Sequence, residues 1–298
     1  MSLYDRGSSD PVRLIKDARP VRWRTPPLTV ALLFPGVGFL LLWFIAPLAK
    51  LFQLSLSAPE GALHAYQELL GNEVYLRVFL KTLLLAVNIT VLCILLAYPT
   101  AYILSRLKGA AFTAVLYCIL FPFWTSVLVR TFSWMLLLER TGPVNRFLLA
   151  TGAFDKPLSL LFNDTGVYIG MVHVLLPYAL LPIYASMVSV DGRLLQASEG
   201  LGDSPLTTFI RVYLHLTLPG VAAGAAFVFL LALGFFITPA LLGGLQNLTV
   251  SMLIDIFVSE RLVWSLAAAA SFCLLFIILL LIIGAFRFVS MGKFLVTR

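Results

Sequence analysis

Very few side chains in this sequence can do chemistry, and their spacing narrows what that chemistry is. His173 stands in an apolar run with no second His, Cys or carboxylate at ligand spacing, so it reads as a buried, hydrogen-bonded histidine before a metal ligand. Cys93, Cys118 and Cys273 also fall in apolar runs and read as small buried residues, not as a disulfide or metal framework. There is no G-x-S-x-G elbow, no H-E-x-x-H helix, no carboxylate pair within an apolar run and no G-x-x-x-x-G-K-[ST] phosphate loop. No catalytic residue, metal site or bound cofactor is therefore expected. What remains is Arg130, an ionised group inside an apolar run, and the rings of Trp124, Trp134, Tyr178, Tyr184, Phe235 and Phe236. Arg130 suits a structural or gating role, or a contact to a solute. The rings suit core packing, or a path whose aromatic faces meet an organic cation.

The elements that hold these residues are set by composition. Of 298 residues, 60% are hydrophobic and 12% charged, with mean hydropathy +0.98, against about 25% charged in soluble domains. A span needs about 20 mainly apolar residues to cross roughly 30 Å of hydrocarbon, and such runs lie near 29–54, 79–104, 112–138, 165–190, 213–242 and 263–288. None shows the alternation of a barrel strand, so the expectation is an all-α integral membrane protein with six transmembrane helices. The expected organisation is a basic tail at 1–27, a first transmembrane helix at 28–57, a core of spans two to six at 75–290, and a tail at 291–298. The first apolar run is too long for a signal-peptide core and is read as an anchor.

Charge orients the chain. With the N-terminus inside, the cytoplasmic side holds Arg6, Arg13, Lys16, Arg19, Arg22, Arg24, Arg106, Lys108, Arg193, Arg211, Arg287, Lys293 and Arg298, whereas the outside holds Arg77, Arg140, Arg146, Lys156 and Arg261. Both termini are predicted cytoplasmic. The net charge of +7 is then a topology signal and not a nucleic-acid footprint. All the acidic residues fall outside the predicted spans, which argues against a proton-coupled carrier.

One polar stretch interrupts the apolar pattern, at residues 194–220. Leu194, Ala197 and Leu201 share a helical face, Gly202 offers a stop, and Asp203-Ser204-Pro205 restarts a helix with a capping residue followed by Pro. Leu206, Phe209, Ile210, Tyr213 and Leu214 then recur at i, i+3, i+4, i+7 and i+8, an amphipathic helix that turns into span five near Pro219. A cytoplasmic helix-Gly-helix of this kind is either an interfacial anchor or a lever gripped by another subunit.

The stretch resembles the coupling motif of ABC importer permeases, Glu-Ala-Ala, then Gly after three residues, then Ile-x-Leu-Pro after nine. Gln196, Ala197 and Ser198 fill the first block, Gly202 the glycine, and Val212, Leu214 and His215 the last. The departures are Gln for the acidic residue, Ser for the second Ala and His215 for Pro. The likeness is nearest to the spermidine/putrescine-type permeases, whose pattern is met by "LLAYPTAYILSR" at 95–106, "PFWTSVLVRTFSW" at 122–134, "GPVNRFLL" at 142–149, "LPYALLPIYASM" at 176–187, "LGDSPLTTFIRV" at 201–212 and "TPALLGG" at 238–244.

This resemblance implies a type I importer permease fold with a cytoplasmic coupling helix at 192–214, in a bacterial inner membrane. It implies a small charged solute, a polyamine first, or an opine or aminoalkylphosphonate. It also implies partners: a second, sibling permease, two cytosolic ATPases that use the ATP, and an extracytoplasmic solute-binding protein. On the motif, Gln196, Ala197, Ser198, Glu199, Gly202, Leu206, Phe209, Val212 and Leu214 are the expected ATPase-docking residues. Trp124, Arg130, Trp134, Tyr178, Tyr184 and Phe235 are the candidates for the path or its gate. The alternative, from another class, is a stand-alone secondary carrier or channel.

Overall fold

In hydrocarbon every backbone N–H and C=O must pair within its own segment, and the apolar runs of this chain are helical throughout. The structure, a computed structural model, describes residues 27–152, 154–244 and 247–296; of the tail expected at 1–27, residues 1–26 lie outside them. Along the chain come α1 (Pro27–Ser55), α2 (His64–Gly71), α3 (Glu73–Arg106), α4 (Gly109–Leu120), α5 (Val127–Leu138), α6 (Pro143–Ala150), α7 (Asp164–Val188), α8 (Gly192–Gly200), α9 (Pro205–Thr208), α10 (Leu214–Leu233), α11 (Ile237–Leu242), α12 (Val250–Asp255) and α13 (Trp264–Val296). No strand occurs among the described residues.

The chain divides into two compact units, Met1–Leu51 and Phe52–Arg298. Most of α1, a 29-residue helix with Pro35 and Pro47 inside it, belongs to the first. The second unit is built on α3, α7 and α10, which pack against one another pairwise. On α3 the buried residues Ala86, Ile89, Cys93, Ala97, Ala101 and Leu104 recur every three or four positions and meet Met171, Leu175, Ala179 and Ile183 of α7 and Val228 and Ala232 of α10. Small residues let backbones approach closely, the usual basis of helix association in lipid. A Cβ placed on Gly220 would lie 2.4 Å from Ser186 Cβ and 2.7 Å from Pro182 O, and one on Gly224 would lie 2.8 Å from Ala179 O.

A smaller core forms at the opposite end of α3, where Tyr75, Val78 and Phe79 meet Val250, Leu253 and Phe257 and Leu266, Ala267 and Ala270 of α13. Arg261 Nη1 donates to the Tyr75 hydroxyl at 3.0 Å, and the Val250 amide donates to Thr82 Oγ1 at 3.0 Å.

Three expectations change. The third span is not one helix: the chain bends by 103° between Gly109–Trp124 and Val127–Ala150, so among the described residues five helices are long and apolar enough to cross, and six if the bent pair counts as one span. The cause is local. Pro122 lacks an N–H, the chain tightens into a 3-10 turn over Phe121–Trp124, and Thr125 is extended. The fifth span ends at Leu233, where Gly234 caps it, and residues 237–242 form the separate α11. The last helix runs on to Val296, into the segment expected as a tail. Cys93 is buried as expected, but Cys118 is exposed because α4 buries none of its residues.

The α7–α10 approach sets a first test. Gly224→Val forces a branched side chain against the Ala179 backbone, and overpacking of this kind costs about 1–3 kcal/mol. Its thermal unfolding midpoint in detergent should fall clearly, whereas Gly284→Val in α13, where a Cβ meets nothing within 4 Å, should leave it within error.

Candidate functional site

Two features stand apart from the packed helices: an elbow between α7 and α10, and the break between α4 and α5. The elbow begins where Asp191 caps α8, its carboxylate accepting from the Arg193 amide at 2.9 Å. The α8 arm ends at Gly200 and the chain reverses through Gly202 at φ +98, a conformation that L side chains rarely adopt. Ser204 caps α9 by accepting from the Thr207 amide at 3.3 Å, and Pro205 opens the helix. The second arm then passes through a π turn over Phe209–Tyr213, in which the Leu214 amide donates to Phe209 O, and continues into α10 without a joint. Pro219, expected near a bend, sits inside α10. His215, which replaces the proline of the motif, brings Nδ1 to 3.1 Å from Ile210 O, beside the carbonyls that the π turn rearranges.

The inside of the elbow is polar. Ser198 is buried, donates through Oγ to Asp203 Oδ2 at 2.8 Å and lies 3.1 Å from Thr208 Oγ1. The Asp203 amide donates to Ser198 O at 3.2 Å and the Gly202 amide to Glu199 O at 3.0 Å, while Arg211 Nη1 approaches Asp203 at 4.0 Å. Every bond but the last ties one arm to the other or closes the reversal. The outside is mostly bare: Gln196, Ala197, Glu199, Gly202 and Leu206 are exposed, as are Leu194 and, at 89%, Leu201.

The expected docking residues thus separate by direction. Gln196, Ala197, Glu199, Gly202 and Leu206 lie on the open face, Phe209, Val212 and Leu214 are half-buried, and Ser198 points inward and holds the arms together. Nothing in its helical spacing signals that inward role, which depends on Asp203 and Thr208 arriving from the other arm.

At the break, Arg130 occupies the first turn of α5. Its Nε is buried and has no hydrogen-bond partner among the described residues, and Tyr178 and His173 are its ionisable neighbours. One turn on, Trp134 Nε1 donates to His173 Nδ1 at 3.2 Å, with the rings edge to face at 5.6 Å. That bond fixes His173 as a hydrogen-bond acceptor, and no group of three or more metal-ligating side chains occurs among the described residues. Beside Arg130, the buried Thr131 and Thr238 hydroxyls meet at 3.1 Å and tie α5 to α11. Tyr178 packs on Phe123 at 5.0 Å and Tyr184 on Phe112 at 6.0 Å. Trp124 is exposed and Phe235 half-buried in the break after α10. Arg130, Trp134, His173 and Tyr178 therefore form one wall where α5 faces α7, and the other candidates lie apart from it. The threonine pair, 107 positions apart, carries no sequence signal.

No protein-family model matches the chain. The spermidine/putrescine transport system permease protein PotB of Escherichia coli is 34% identical over 259 residues, covering 84% of this chain and 94% of that protein. A chain of a bacterial ABC transporter involved in the import of the acidic polysaccharide alginate superimposes with a TM-score of 0.68 at 18% identity, covering 93% of this chain and 98% of that one. A second structure of a bacterial alginate ABC transporter, in complex with an alginate pentasaccharide-bound periplasmic protein, gives 0.70 at 18% identity, covering 87% and 92%. At that identity the structures speak for the fold.

The elbow's polar interior makes a local prediction. Ser198→Ala removes the hydroxyl that donates to Asp203 and pairs with Thr208; a hydrogen bond to a charged group is worth about 1.5–3 kcal/mol, or roughly tenfold or more in a local opening equilibrium. Amide hydrogen exchange across 198–208 should quicken by about that factor, with exchange in the buried stretch of α7 unchanged. Equal protection in the variant would show that the backbone reversal alone holds the elbow.

Proposed function

We propose, because the chain belongs to the PotB-type family of ABC importer permeases, that it forms one transmembrane half of an importer for a polyamine or a related small charged solute. The fold is that of an ABC transporter permease, and the chain is a membrane protein with five apolar spans and a broken sixth. The observation that carries the mechanical reading is the elbow: a rigid reversal between two core helices, bonded on its inside and bare on its outside.

In this reading both termini and the elbow face the cytoplasm of a bacterial cell, in keeping with the excess of Lys and Arg on that side. The chain itself is not an enzyme. A cytosolic ATPase grips the elbow's open face through Gln196, Ala197, Glu199, Gly202 and Leu206, and a second ATPase grips a sibling permease. Ser198 keeps the lever stiff, and Phe209, Val212 and Leu214 pass its movement to the bundle. The ring-bearing flank of the broken span, where Phe121, Trp124, Phe132 and Phe147 are exposed, supports pairing with the sibling. A binding protein delivers solute from the far side; the alginate transporter structure, which holds an alginate pentasaccharide-bound periplasmic protein, supports such a partner.

Reversing a two-state equilibrium from 1:99 to 99:1 takes about 5.5 kcal/mol, within reach of nucleotide binding at two ATPases. The wall of Arg130, Trp134, His173 and Tyr178 is the proposed gate. Its charge is held at a break, where the backbone is irregular and a small shift of α5 against α7 repositions the guanidinium. Gating by Arg130 is favoured over a direct grip on a cationic solute, which like charge opposes.

The first test is purification of the tagged chain in mild detergent with whatever accompanies it. An ATPase and a second permease should copurify; a chain that emerges alone and moves spermidine in ATP-free liposomes would overturn the reading in favour of a carrier. Gly202→Asp adds backbone strain of about 1–3 kcal/mol at the reversal without a steric clash. Complexes should still assemble, with ATP-driven uptake reduced roughly ten- to a hundredfold. For the gate, Arg130→Ala should lower uptake severalfold or leave a leak while ATPase docking persists, and normal transport by both Arg130→Ala and Arg130→Lys would remove Arg130 from the path.

A further inference from the structure

The elbow is joined through the backbone to α7 and α10, yet α3 meets it through side chains. Tyr98, Tyr102 and Arg106 recur at four-residue steps along the last turns of α3 and so share a face. Phe209 and Tyr213 are spaced likewise on the π turn of the second arm. The rings interlock. Phe209 and Tyr213 stack with centroids 5.6 Å apart at 23°, and Tyr102 stands across both, 5.7 Å and 88° from Phe209 and 5.6 Å and 86° from Tyr213. Tyr98 adds an edge contact to Phe209 at 6.4 Å, and its hydroxyl lies 3.0 Å from the buried Thr217 Oγ1 in α10. The Arg106 guanidinium closes the outer side, 5.1 Å over the Tyr102 ring.

This corner is otherwise hollow. A cavity of about 140 Å³ lies between the end of α3 and the elbow, lined by Tyr102, Arg106, Glu199, Thr208, Phe209 and Tyr213 among others. Leu195 and Pro205 complete its lining, and the interlocked rings are the bulkiest contact between the end of α3 and the second arm. Elsewhere the α3 interface opposes sliding along the axis through Ile89, Cys93 and Leu104, interspersed with Ala86, Ala97 and Ala101, which present almost no ridge. A ring standing across a stacked pair does resist such sliding, because slip would break both of its edge-to-face contacts at once.

We infer that Tyr102, set across Phe209 and Tyr213, is the positioning residue that fastens α3 to the elbow, so that α3, α7 and α10 move as one body when the elbow is displaced. A lever fixed to α7 and α10 alone would shear them past α3 and dissipate its stroke. The inference rests on the lever reading of the elbow proposed above.

Its test uses the importer purified with its ATPase, with Cys93, Cys118 and Cys273 replaced by alanine and spin labels at Ile103→Cys and Ile210→Cys. Both positions are exposed, one on α3 and one on the second arm. The label-to-label distance is compared without nucleotide and after trapping with ATP and vanadate. In the parent the distribution should be single and the same in both states; in Tyr102→Ala it should broaden or shift on trapping, and Tyr102→Phe, which keeps the ring, should restore it. Phe209→Leu, which keeps apolar bulk but loses the stack, should behave as Tyr102→Ala does and guards against a fold defect peculiar to one variant. A parent distance that shifts on trapping by more than its own width, or a Tyr102→Ala distribution as fixed as the parent's, would overturn the clamp while leaving the lever standing. Failure of the parent complex to hydrolyse ATP or trap nucleotide would overturn the lever itself, and the clamp's role with it.

Discussion

The structure depends on the contact between α7 and α10, where two backbones run close enough that glycine is required. Gly220 lies against Pro182 and Ser186, and Gly224 against Ala179, with no room for a methyl group at either. In lipid there is no hydrophobic drive between helices, and such close packing must supply the cohesion that water supplies elsewhere. An elbow that spans the ends of two helices can act on them only if they do not separate. The glycines make α7 and α10 a unit, and the elbow's polar interior makes the reversal itself stiff. Stiffness at both levels is what distinguishes a lever from an anchor lying on the membrane.

The broken span follows the opposite logic. Here Pro122 and the extended Thr125 interrupt a helix where the chain must give up backbone hydrogen bonds, and membrane proteins tolerate this only against other protein or water. The break places Arg130 and Trp134 on α5 opposite His173 and Tyr178 on α7. The Thr131–Thr238 bond ties α5 to α11, and the Trp134–His173 bond ties it to α7. Rigid core and irregular wall are thus adjacent, and α7 belongs to both.

Much of the architecture was legible in the sequence, and what was illegible has a common character. The elbow could be read because its signals are local: Gly202 turns the chain, Ser204 caps the second arm and Pro205 starts it, each within a few residues of the feature it creates. The spans were legible from apolar length. The break in the third was much less so, because a proline in an apolar run allows either a kinked helix or a full interruption, and the outcome turns on the 3-10 turn that forms around it. Ser198, the Thr131–Thr238 pair and the Trp134–His173 bond were not legible, since each needs a partner from another element. The resemblance to importer permeases correctly identified the family, and it named Ser198 for docking with no sign of the inward bonds to Asp203 and Thr208.

The bare outer face of the elbow has a consequence for the cell as well as for the machine. Leu194, Leu201 and Leu206 are exposed in the chain alone, and clustered apolar side chains of this kind are what chaperones and membrane proteases bind. On the importer reading proposed above, a chain with no ATPase at this face advertises its own incompleteness. Subunit numbers would then be matched by removal of the surplus, with the surface that transmits force also serving as the mark by which an orphan is recognised.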